Sequence, residues 1–214
     1  MTSREFKERL GERLARVNTA ISPNVYEQLE AYYRLLERWN QRINLTSLPL
    51  TPPSDETFDR LLVEPILAAP HVADSAQLWV DLGSGGGSPA IPLKILRPRN
   101  RLVMIESRAR KTAFLREAVR NLELNDVHVE TARFEDVAAE TPVLAHLVTV
   151  RAVRGDDTLF SAARDFLRPD GLLLWFRPGH TNNAPPDFRL LRTAPLTDSS
   201  SELAVMAAVP RGTK

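Results

Sequence analysis

The chain has no cysteine among its 214 residues. This absence excludes disulfide bonds, thiolate catalysis and zinc sites built on sulfur ligands. The sequence also lacks an apolar run long enough to span a bilayer, and its N-terminal stretch, MTSREFKERLGERL, is charged where a signal peptide is apolar. We therefore expect a cytoplasmic protein that does not contact a membrane.

Histidine is rare, and charge of either sign is nearly balanced. The four histidines, His71, His128, His146 and His180, lack the spacing of metal ligands, so we predict no metal site. The 28 basic and 27 acidic residues give a net charge of +1, so any attraction to nucleic acid must come from a local patch. The length and the 43% of hydrophobic residues fit one globular unit with a substantial core, which we expect to be a monomer.

One glycine-rich stretch, 78–92, interrupts the apolar pattern and reads LWVDLGSGGGSPAIP. Its apolar start predicts a buried strand, its glycines predict a tight turn that approaches a ligand closely, and Pro89 predicts the first turn of a helix. The free N–H groups of such a helical turn favour a negatively charged or strongly polar group. The stretch therefore predicts a cofactor-binding turn, although a glycine turn alone can also be purely structural.

The spacing of the glycines separates two classes of cofactor. A dinucleotide fingerprint, G-x-G-x-x-G, that started at Gly83 would need a glycine at Ser88, and one that started at Gly85 would end on Ala90. The pattern present is Asp-x-Gly-x-Gly-x-Gly, which resembles the first motif of the S-adenosylmethionine-dependent methyltransferases with a Rossmann-like fold. The predicted cofactor contacts of this motif are Asp81, Gly83, Gly85 and Gly87.

A second acidic residue follows the next apolar run. Residues 101–106 read RLVMIE, and Glu106 stands about twenty residues beyond the turn, where nucleotide-binding α/β domains hold a ribose by its hydroxyl groups. We therefore predict that Glu106 binds the ribose of the cofactor. The alternative is a solvated carboxylate at the end of a strand.

The first 75 residues have helical patterns. A capping box, Thr2-x-x-Glu5, precedes apolar residues that recur at helical spacing over 6–21, and a second such stripe extends over about 23–39. We predict that residues 1–75 form a helical cap on the remainder of the chain and belong to the same unit.

From residue 78 onward, strand patterns alternate with helical ones, which is typical of a parallel sheet with helices on both faces. The predicted strands lie near 78–82, 101–106, 127–131, 146–151, 171–176, 188–194 and 202–209. The last two have no helix between them and predict a C-terminal hairpin. The predicted fold class is α/β: a Rossmann-like class I methyltransferase domain over 76–214, with a seven-stranded, mostly parallel sheet and the N-terminal helical cap.

Several groups of residues carry a more specific resemblance. They are Trp39-Asn40 with Asn44-Leu45-Thr46-Ser47, the turn from Gly83 to Pro89 with Ile91-Pro92, Arg110-Lys111 with Phe114-Leu115, and Arg151-Ala152. From about Tyr26 to Gly179 the chain resembles the bacterial small-subunit ribosomal RNA guanine-N7 methyltransferase family, also called glucose-inhibited division protein B. The first group is the most specific, because a generic methyltransferase has no reason to carry it.

The resemblance implies transfer of a methyl group from S-adenosylmethionine to N7 of a guanine in 16S ribosomal RNA, either bare or within the small ribosomal subunit. The cofactor contacts of the family fall on Gly83, Ser88, Phe134, Glu135 and Arg151. Phe134 suits the adenine face, and the backbone around Glu135 suits its edge. Arg151 suits the methionine carboxylate or an RNA phosphate, and a structural salt bridge is the alternative.

Some positions depart from the family pattern. Ser88 replaces a bulky apolar residue, Ala90 a glycine, Leu61 and Glu64 a histidine and an aspartate, Val150 a serine, and Arg177 a lysine. We expect cofactor binding to survive these changes. They leave open a different methyl acceptor, or a diverged protein that binds cofactor or RNA without methyl transfer. An NAD oxidoreductase is disfavoured by the glycine spacing.

Methylation of guanine N7 needs no general base, because this nitrogen carries an exposed lone pair. The product base is cationic, so a nearby carboxylate would stabilise the transition state. Glu64 and Asp156 are the candidates for this role.

RNA contacts are expected from clustered arginines. Three of them share roughly one face of the second helix, next to the segment WNQRINLTS, and a second basic cluster spans 97–120. The predicted RNA contacts are Arg34, Arg38, Arg42, Asn44 and Arg177. For either cluster a solvated helix face is the alternative.

Overall fold

The computed structural model describes residues 1–209 except 76, 141–143, 152–154, 180–183 and 198–200. Ala152 and His180 therefore lie outside the described residues. Before the first strand the described chain is helical, as predicted. Its segments are α1 (Ser3–Arg16), α2 (Pro23–Asn40), α3 (Asp55–Phe58), a π-helical turn (Asp59–Val63), α4 (Glu64–Ala68) and a 3₁₀ turn (Ala69–His71).

Helix α1 begins at the predicted capping box. The Thr2 hydroxyl accepts a hydrogen bond from the Glu5 backbone N–H, and the Glu5 carboxylate accepts one from the Thr2 N–H. The helix ends at Arg16 instead of following the apolar spacing to Ile21, because the chain reverses at Asn18, whose φ is 50°. The spacing alone therefore overestimated the length of this helix.

Seven strands form one sheet after the helical segment. They are β1 (Leu78–Leu82), β2 (Arg101–Ile105), β3 (Val127–Glu130), β4 (Ala145–Arg151), β5 (Leu167–Pro178), β6 (Phe188–Pro195) and β7 (Ser201–Ala208). Their order is β3-β2-β1-β4-β5-β7-β6. Strands β1 to β5 are parallel, whereas β7 is antiparallel to both β5 and β6. The predicted α/β class, with a mostly parallel sheet and a C-terminal hairpin, is confirmed.

Four helices connect the parallel strands: α5 (Ala90–Leu96), α6 (Ala109–Asn121), α7 (Phe134–Glu140) and α8 (Asp157–Phe166). On β1, Trp79 belongs to the apolar cluster that includes residues of α1, α2, α5 and α6, whereas Val80 and Leu82 belong to the cluster that includes residues of α8. Side chains alternate along a strand, so Asp81 points to the same face as Trp79, beneath the N-terminal helices.

The N-terminal helices and the sheet share one cluster of buried apolar residues. The division of the chain at residue 75 stays a prediction. None of the described helices is long and apolar enough to cross a membrane.

Candidate functional site

A cleft of about 550 Å³ opens at the carboxyl ends of β1 and β2. One side is formed by the glycine turn and Glu106, and the other by α2 and the loop that follows it. The lining residues are Leu36, Leu45, Thr46, Ser47, Leu48, Arg60, Leu61, Gly83, Ser84, Gly85, Gly86, Ser88, Glu106, Arg108, Lys111 and Arg151. Open α/β sheets bind their ligands at this edge.

The glycine turn has a backbone that other residues rarely adopt. The φ angles of Gly83, Gly85 and Gly87 are 72°, 52° and 87°. The N–H groups of Gly83 and Ser84 donate to the Ile105 carbonyl at 2.9 and 3.1 Å, which fixes the start of the turn to β2. The glycines at these positions are therefore required by conformation, and the turn exposes backbone to the cleft.

Glu106 is held rigidly at the end of β2. One carboxylate oxygen accepts a hydrogen bond from the Gly85 N–H at 3.0 Å, and the other accepts one from the Arg108 N–H at 2.9 Å. The residue is 8% exposed and lines the cleft. Its carboxylate is therefore not simply solvated at a strand end but fixed beside the glycine turn.

Asp81 lies behind the turn, outside the lining of the cleft. Its carboxylate accepts a hydrogen bond of 2.5 Å from the Thr149 hydroxyl, which itself accepts one of 2.8 Å from Trp79 Nε1. All three side chains are buried, and burial raises the pKa of Asp81 to about 6. Asp81 thus supports the turn from below, held by Thr149, and its predicted contact with the cofactor stays a prediction.

The loop after α2 explains the most specific sequence mark. The Asn40 amide oxygen accepts hydrogen bonds from the N–H groups of Leu45 and Thr46, at 2.8 and 3.0 Å, and its amide nitrogen donates to the Thr46 carbonyl at 3.2 Å. Trp39 Nε1 donates to Glu117 on α6 at 3.2 Å. The amide of Asn40 thus clamps the loop into a wall of the cleft.

Arg151 forms a buried ion pair at the side of the cleft. Its guanidinium lies 2.8 Å from the Glu64 carboxylate, donates to the Arg60 carbonyl and stacks 4.2 Å from the centre of the Phe176 ring. Burial lowers the pKa of Arg151 to about 10. The Ser88 hydroxyl donates to the Leu61 carbonyl at 3.1 Å. The ion pair between Arg151 and Glu64 is the structural salt bridge that was the alternative role of Arg151. Arg151 also lines the cleft.

The two candidates for charge stabilisation are not at the cleft surface. Glu64 is 2% exposed and lies behind Arg151, where its other oxygen accepts hydrogen bonds from Thr197 and Ser201. Asp156 accepts a hydrogen bond from the Leu159 N–H at 3.1 Å and caps α8. Neither belongs to the lining described above, and in this geometry both carboxylates have structural partners; a part in charge stabilisation stays a prediction for each.

Two predicted adenine contacts lie at the start of α7. Phe134 is half-buried and packs against the core on the α8 side of the sheet, and Glu135 forms an ion pair with Arg133 at 3.3 Å. The cleft described above does not include either residue. Their contact with the cofactor stays a prediction.

The predicted RNA contacts have different surroundings. Arg38, Arg42 and Asn44 are exposed, and Arg42 lies beyond the end of α2. Arg34 is half-buried and ion-paired with Glu30 at 3.2 Å.

Arg177 is 2% exposed and forms an ion pair of 2.5 Å with Glu202. In this geometry the guanidinium serves a buried ion pair, and its predicted contact with RNA stays a prediction.

Sequence reasoning missed two buried hydroxyl groups at the site. Thr149 interrupts the apolar strand AHLVTVR directly opposite Asp81, and Tyr32 donates a hydrogen bond of 2.7 Å to the Gly86 carbonyl. A polar residue inside an apolar strand was the available signal for Thr149. Nothing in the sequence pairs Tyr32 with a glycine that lies 54 positions away.

The chain was compared with known proteins. A family model described as "rRNA small subunit methyltransferase G" (GidB) matches residues 25–190. Ribosomal RNA small subunit methyltransferase G of Neisseria meningitidis is 35% identical over 170 residues, which cover 79% of this chain and 75% of that protein. The protein of the same name from Acidiphilium cryptum is 36% identical over 179 residues, which cover 82% of this chain and 75% of that protein.

A solved structure supports the fold. It is a SAM-dependent methyltransferase from Aquifex aeolicus, with a TM-score of 0.56 and 12% identity, covering 70% of this chain and 92% of that one. At this identity the similarity concerns the architecture alone. The sequence matches are longer and closer, and they include both the glycine turn and the loop clamped by Asn40. The chain therefore belongs to the GidB family, the family of rRNA small subunit methyltransferase G.

Proposed function

We propose that this protein transfers a methyl group from S-adenosylmethionine to N7 of a guanine in 16S ribosomal RNA. One observation carries the proposal beyond family membership. The cleft combines a rigid glycine turn, the fixed carboxylate of Glu106 and the wall formed by the Asn40-clamped loop. The glycine turn and Glu106 suit the cofactor. The loop clamped by Asn40 is the part of the family pattern that a generic methyltransferase does not need.

The residues of the cleft fit S-adenosylmethionine. Glu106 uses one lone pair of each oxygen for a backbone N–H, and each oxygen has another that can accept a ribose hydroxyl. Leu36, Leu45 and Leu48 offer an apolar surface opposite the turn. When bound, the cofactor supplies a methyl group that is activated for displacement by its attachment to a positively charged sulfur.

The remaining tasks of the chain are alignment and exclusion of water. Guanine N7 has its lone pair available, so no side chain has to remove a proton before the displacement. An in-line transfer depends mainly on the orientation of the reacting atoms, which a rigid site supplies. The cleft is rigid because the glycine turn is hydrogen-bonded to Ile105 on one side and to Tyr32 on the other, and because Asn40 clamps the opposite loop.

The charge around the cleft suits an RNA backbone. Arg60, Arg108, Lys111 and Arg151 line it, and Glu106 is the one carboxylate among the described lining residues. Arg108 is exposed and Lys111 is half-buried at the start of α6. We infer that RNA phosphates approach over Arg108 and Lys111, members of the second basic cluster. Arg38, Arg42 and Asn44 stay predicted contacts on the cap side.

The cofactor is tested by calorimetric titration of the protein with S-adenosylmethionine and, separately, with NAD. We expect saturable binding of the methyl donor alone, and its loss in Gly83→Arg. Gly179→Arg is the matched control, because Gly179 has a φ of 73°, close to the 72° of Gly83, and faces open space. Equal loss in both variants, or binding of NAD instead, would overturn the assignment of the turn.

The acceptor is tested with tritiated S-adenosylmethionine on small ribosomal subunits and on naked 16S RNA that both lack the modification. Label in N7-methylguanine supports the proposal. Label in another base or another macromolecule identifies a different acceptor. Saturable cofactor binding without transfer to any of these substrates would indicate a diverged binding protein.

A further inference from the structure

The glycine turn is attached to the protein from two opposite sides. On the side of the sheet, the Ile105 carbonyl accepts hydrogen bonds from the N–H groups of Gly83 and Ser84. The Glu106 carboxylate accepts one from the Gly85 N–H. From the N-terminal helices, the Tyr32 hydroxyl donates a hydrogen bond of 2.7 Å to the Gly86 carbonyl. The second attachment reaches the far side of the turn, beyond the bonds to β2.

Gly86 differs from the other glycines of the turn that face the cofactor cleft. Its φ is not in the positive region, so conformation alone does not require a glycine. A Cβ atom at this position would lie 3.2 Å from the Leu45 carbonyl oxygen and 3.3 Å from Leu36 Cδ1. The glycine is therefore explained by the close approach of α2 and its loop, the same approach that brings Tyr32 to the Gly86 carbonyl.

Tyr32 is completely buried, and burial raises the pKa of its hydroxyl. The hydroxyl therefore stays protonated and remains a donor throughout the physiological range. Its hydrogen bond to Gly86 lies in the glycine turn, on the cofactor side of the cleft. Glycine has more backbone conformational freedom than other residues, so ordering this turn when a ligand binds costs conformational entropy. Restricting that freedom before binding lowers the cost of binding.

We propose that Tyr32 is a positioning residue for the cofactor: its hydroxyl holds the Gly86 carbonyl, and thereby the Gly85–Gly87 backbone, in the conformation that receives S-adenosylmethionine. The inference rests on the proposed function, since it assigns the cofactor to this turn. It gives the N-terminal helices a part in cofactor binding in addition to their predicted contacts with RNA. Tyr32 acts through the backbone and does not line the cleft.

Tyr33 provides a matched control at the next position of α2. It is also completely buried, and its hydroxyl also donates a hydrogen bond of 2.7 Å to a backbone carbonyl, that of Leu50. Leu50 is not part of the cleft lining. The two tyrosines therefore make equivalent contacts, and only that of Tyr32 reaches the glycine turn.

The experiment compares the wild-type protein with Tyr32→Phe and Tyr33→Phe. We expect both variants to lose a similar amount of thermal stability, because each loses one buried hydrogen bond. In calorimetric titration with S-adenosylmethionine, Tyr32→Phe should raise the Kd about fivefold, the factor that corresponds to about 1 kcal/mol. Tyr33→Phe should leave the Kd within about twofold of wild type.

Hydrogen exchange of the ligand-free protein gives a second readout. The peptide that contains residues 83–88 should exchange faster in Tyr32→Phe than in wild type or Tyr33→Phe. In a double-mutant cycle, Gly86→Ala should add less to the Kd of Tyr32→Phe than to that of wild type, because both changes disturb the packing of α2 and its loop against Gly86.

The outcomes separate this inference from the proposed function. Absence of S-adenosylmethionine binding by wild type would remove the function itself. Normal binding by wild type with equal Kd values in the two tyrosine variants, or with unchanged exchange over 83–88, would overturn the positioning role of Tyr32 alone.

Discussion

Replacing Thr149 by valine tests the buried chain of hydrogen bonds under the glycine turn. Valine has nearly the shape of threonine but lacks the hydroxyl, which accepts from Trp79 Nε1 and donates to Asp81. The change leaves a buried indole N–H without an acceptor and removes a donor from a buried carboxylate. Thr149→Ser is the control, since it keeps the hydroxyl and removes only a methyl group.

The expected losses differ enough to be measured. An unsatisfied buried donor costs about 1–3 kcal/mol, and a hydrogen bond to a charged group contributes about 1.5–3 kcal/mol. Thr149→Val should therefore lower the free energy of unfolding by about 3–5 kcal/mol near neutral pH. Thr149→Ser should lower it by about 1 kcal/mol, the contribution of one buried methyl group.

The effect of the valine variant should also depend on pH. The pKa of Asp81 is raised by burial from 3.8 to about 6, so the folded state binds a proton more tightly than the unfolded state. The associated stability is fully present below pH 3.8 and is lost as the pH rises through about 6. The Thr149 hydroxyl offsets part of this loss by stabilising the ionised form. The destabilisation by Thr149→Val should therefore be larger at about pH 7.5 than at about pH 4.5.

Urea denaturation followed by circular dichroism, on wild type and both variants at the two pH values, measures these differences. If Thr149→Val and Thr149→Ser lower the free energy of unfolding equally, the hydrogen bonds of the Thr149 hydroxyl contribute nothing to stability. If Thr149→Val lowers the free energy of unfolding by the same amount at both pH values, the Thr149 hydroxyl does not stabilise the ionised form of Asp81, and the predicted pH dependence is wrong.

Three further predictions concern the cleft. Glu106→Gln should weaken S-adenosylmethionine binding at least about tenfold in calorimetry, because the neutral amide cannot accept both backbone N–H groups, whereas Glu130→Gln at the end of the neighbouring strand should not. Asn40→Ala should speed hydrogen exchange over residues 44–47, because three hydrogen bonds to the loop are lost; unchanged exchange would contradict the clamp. Substitution of Arg108 and Lys111 by alanine should reduce the affinity for 16S RNA and the steepness of its salt dependence in filter binding; an unchanged salt dependence would contradict the phosphate contact.

The sequence was sufficient for the architecture because the signals there are local. Alternation, turn residues and strand spacing located all seven strands, and the two acidic strand ends marked one edge of the sheet. β5 begins at Leu167, about four residues earlier than predicted, because the charged and proline-containing start of this strand lacks an apolar pattern; its pairing with β4 shifts register there.

The site was less predictable because its geometry depends on distant contacts. The glycine turn and Glu106 followed from spacing along the chain. Whether Arg151 is free or paired depends on Glu64, which is 87 positions away and reaches it only through the helical segment before β1. For the same reason, an arginine pattern could not distinguish exposed Arg38 from buried Arg177.

The π-helical turn at Asp59–Val63 and the proline that follows it leave two backbone carbonyls without a partner N–H in the helix. The N–H five residues after Arg60, at the π spacing, and four residues after Leu61, at the α spacing, would belong to Pro65, which has none. The Arg60 carbonyl accepts a hydrogen bond from Arg151 instead, and the Leu61 carbonyl accepts one from Ser88 at 3.1 Å. A proline inside a helix thereby provides backbone acceptors at the edge of the cleft, and they do not depend on which side chains residues 60 and 61 carry.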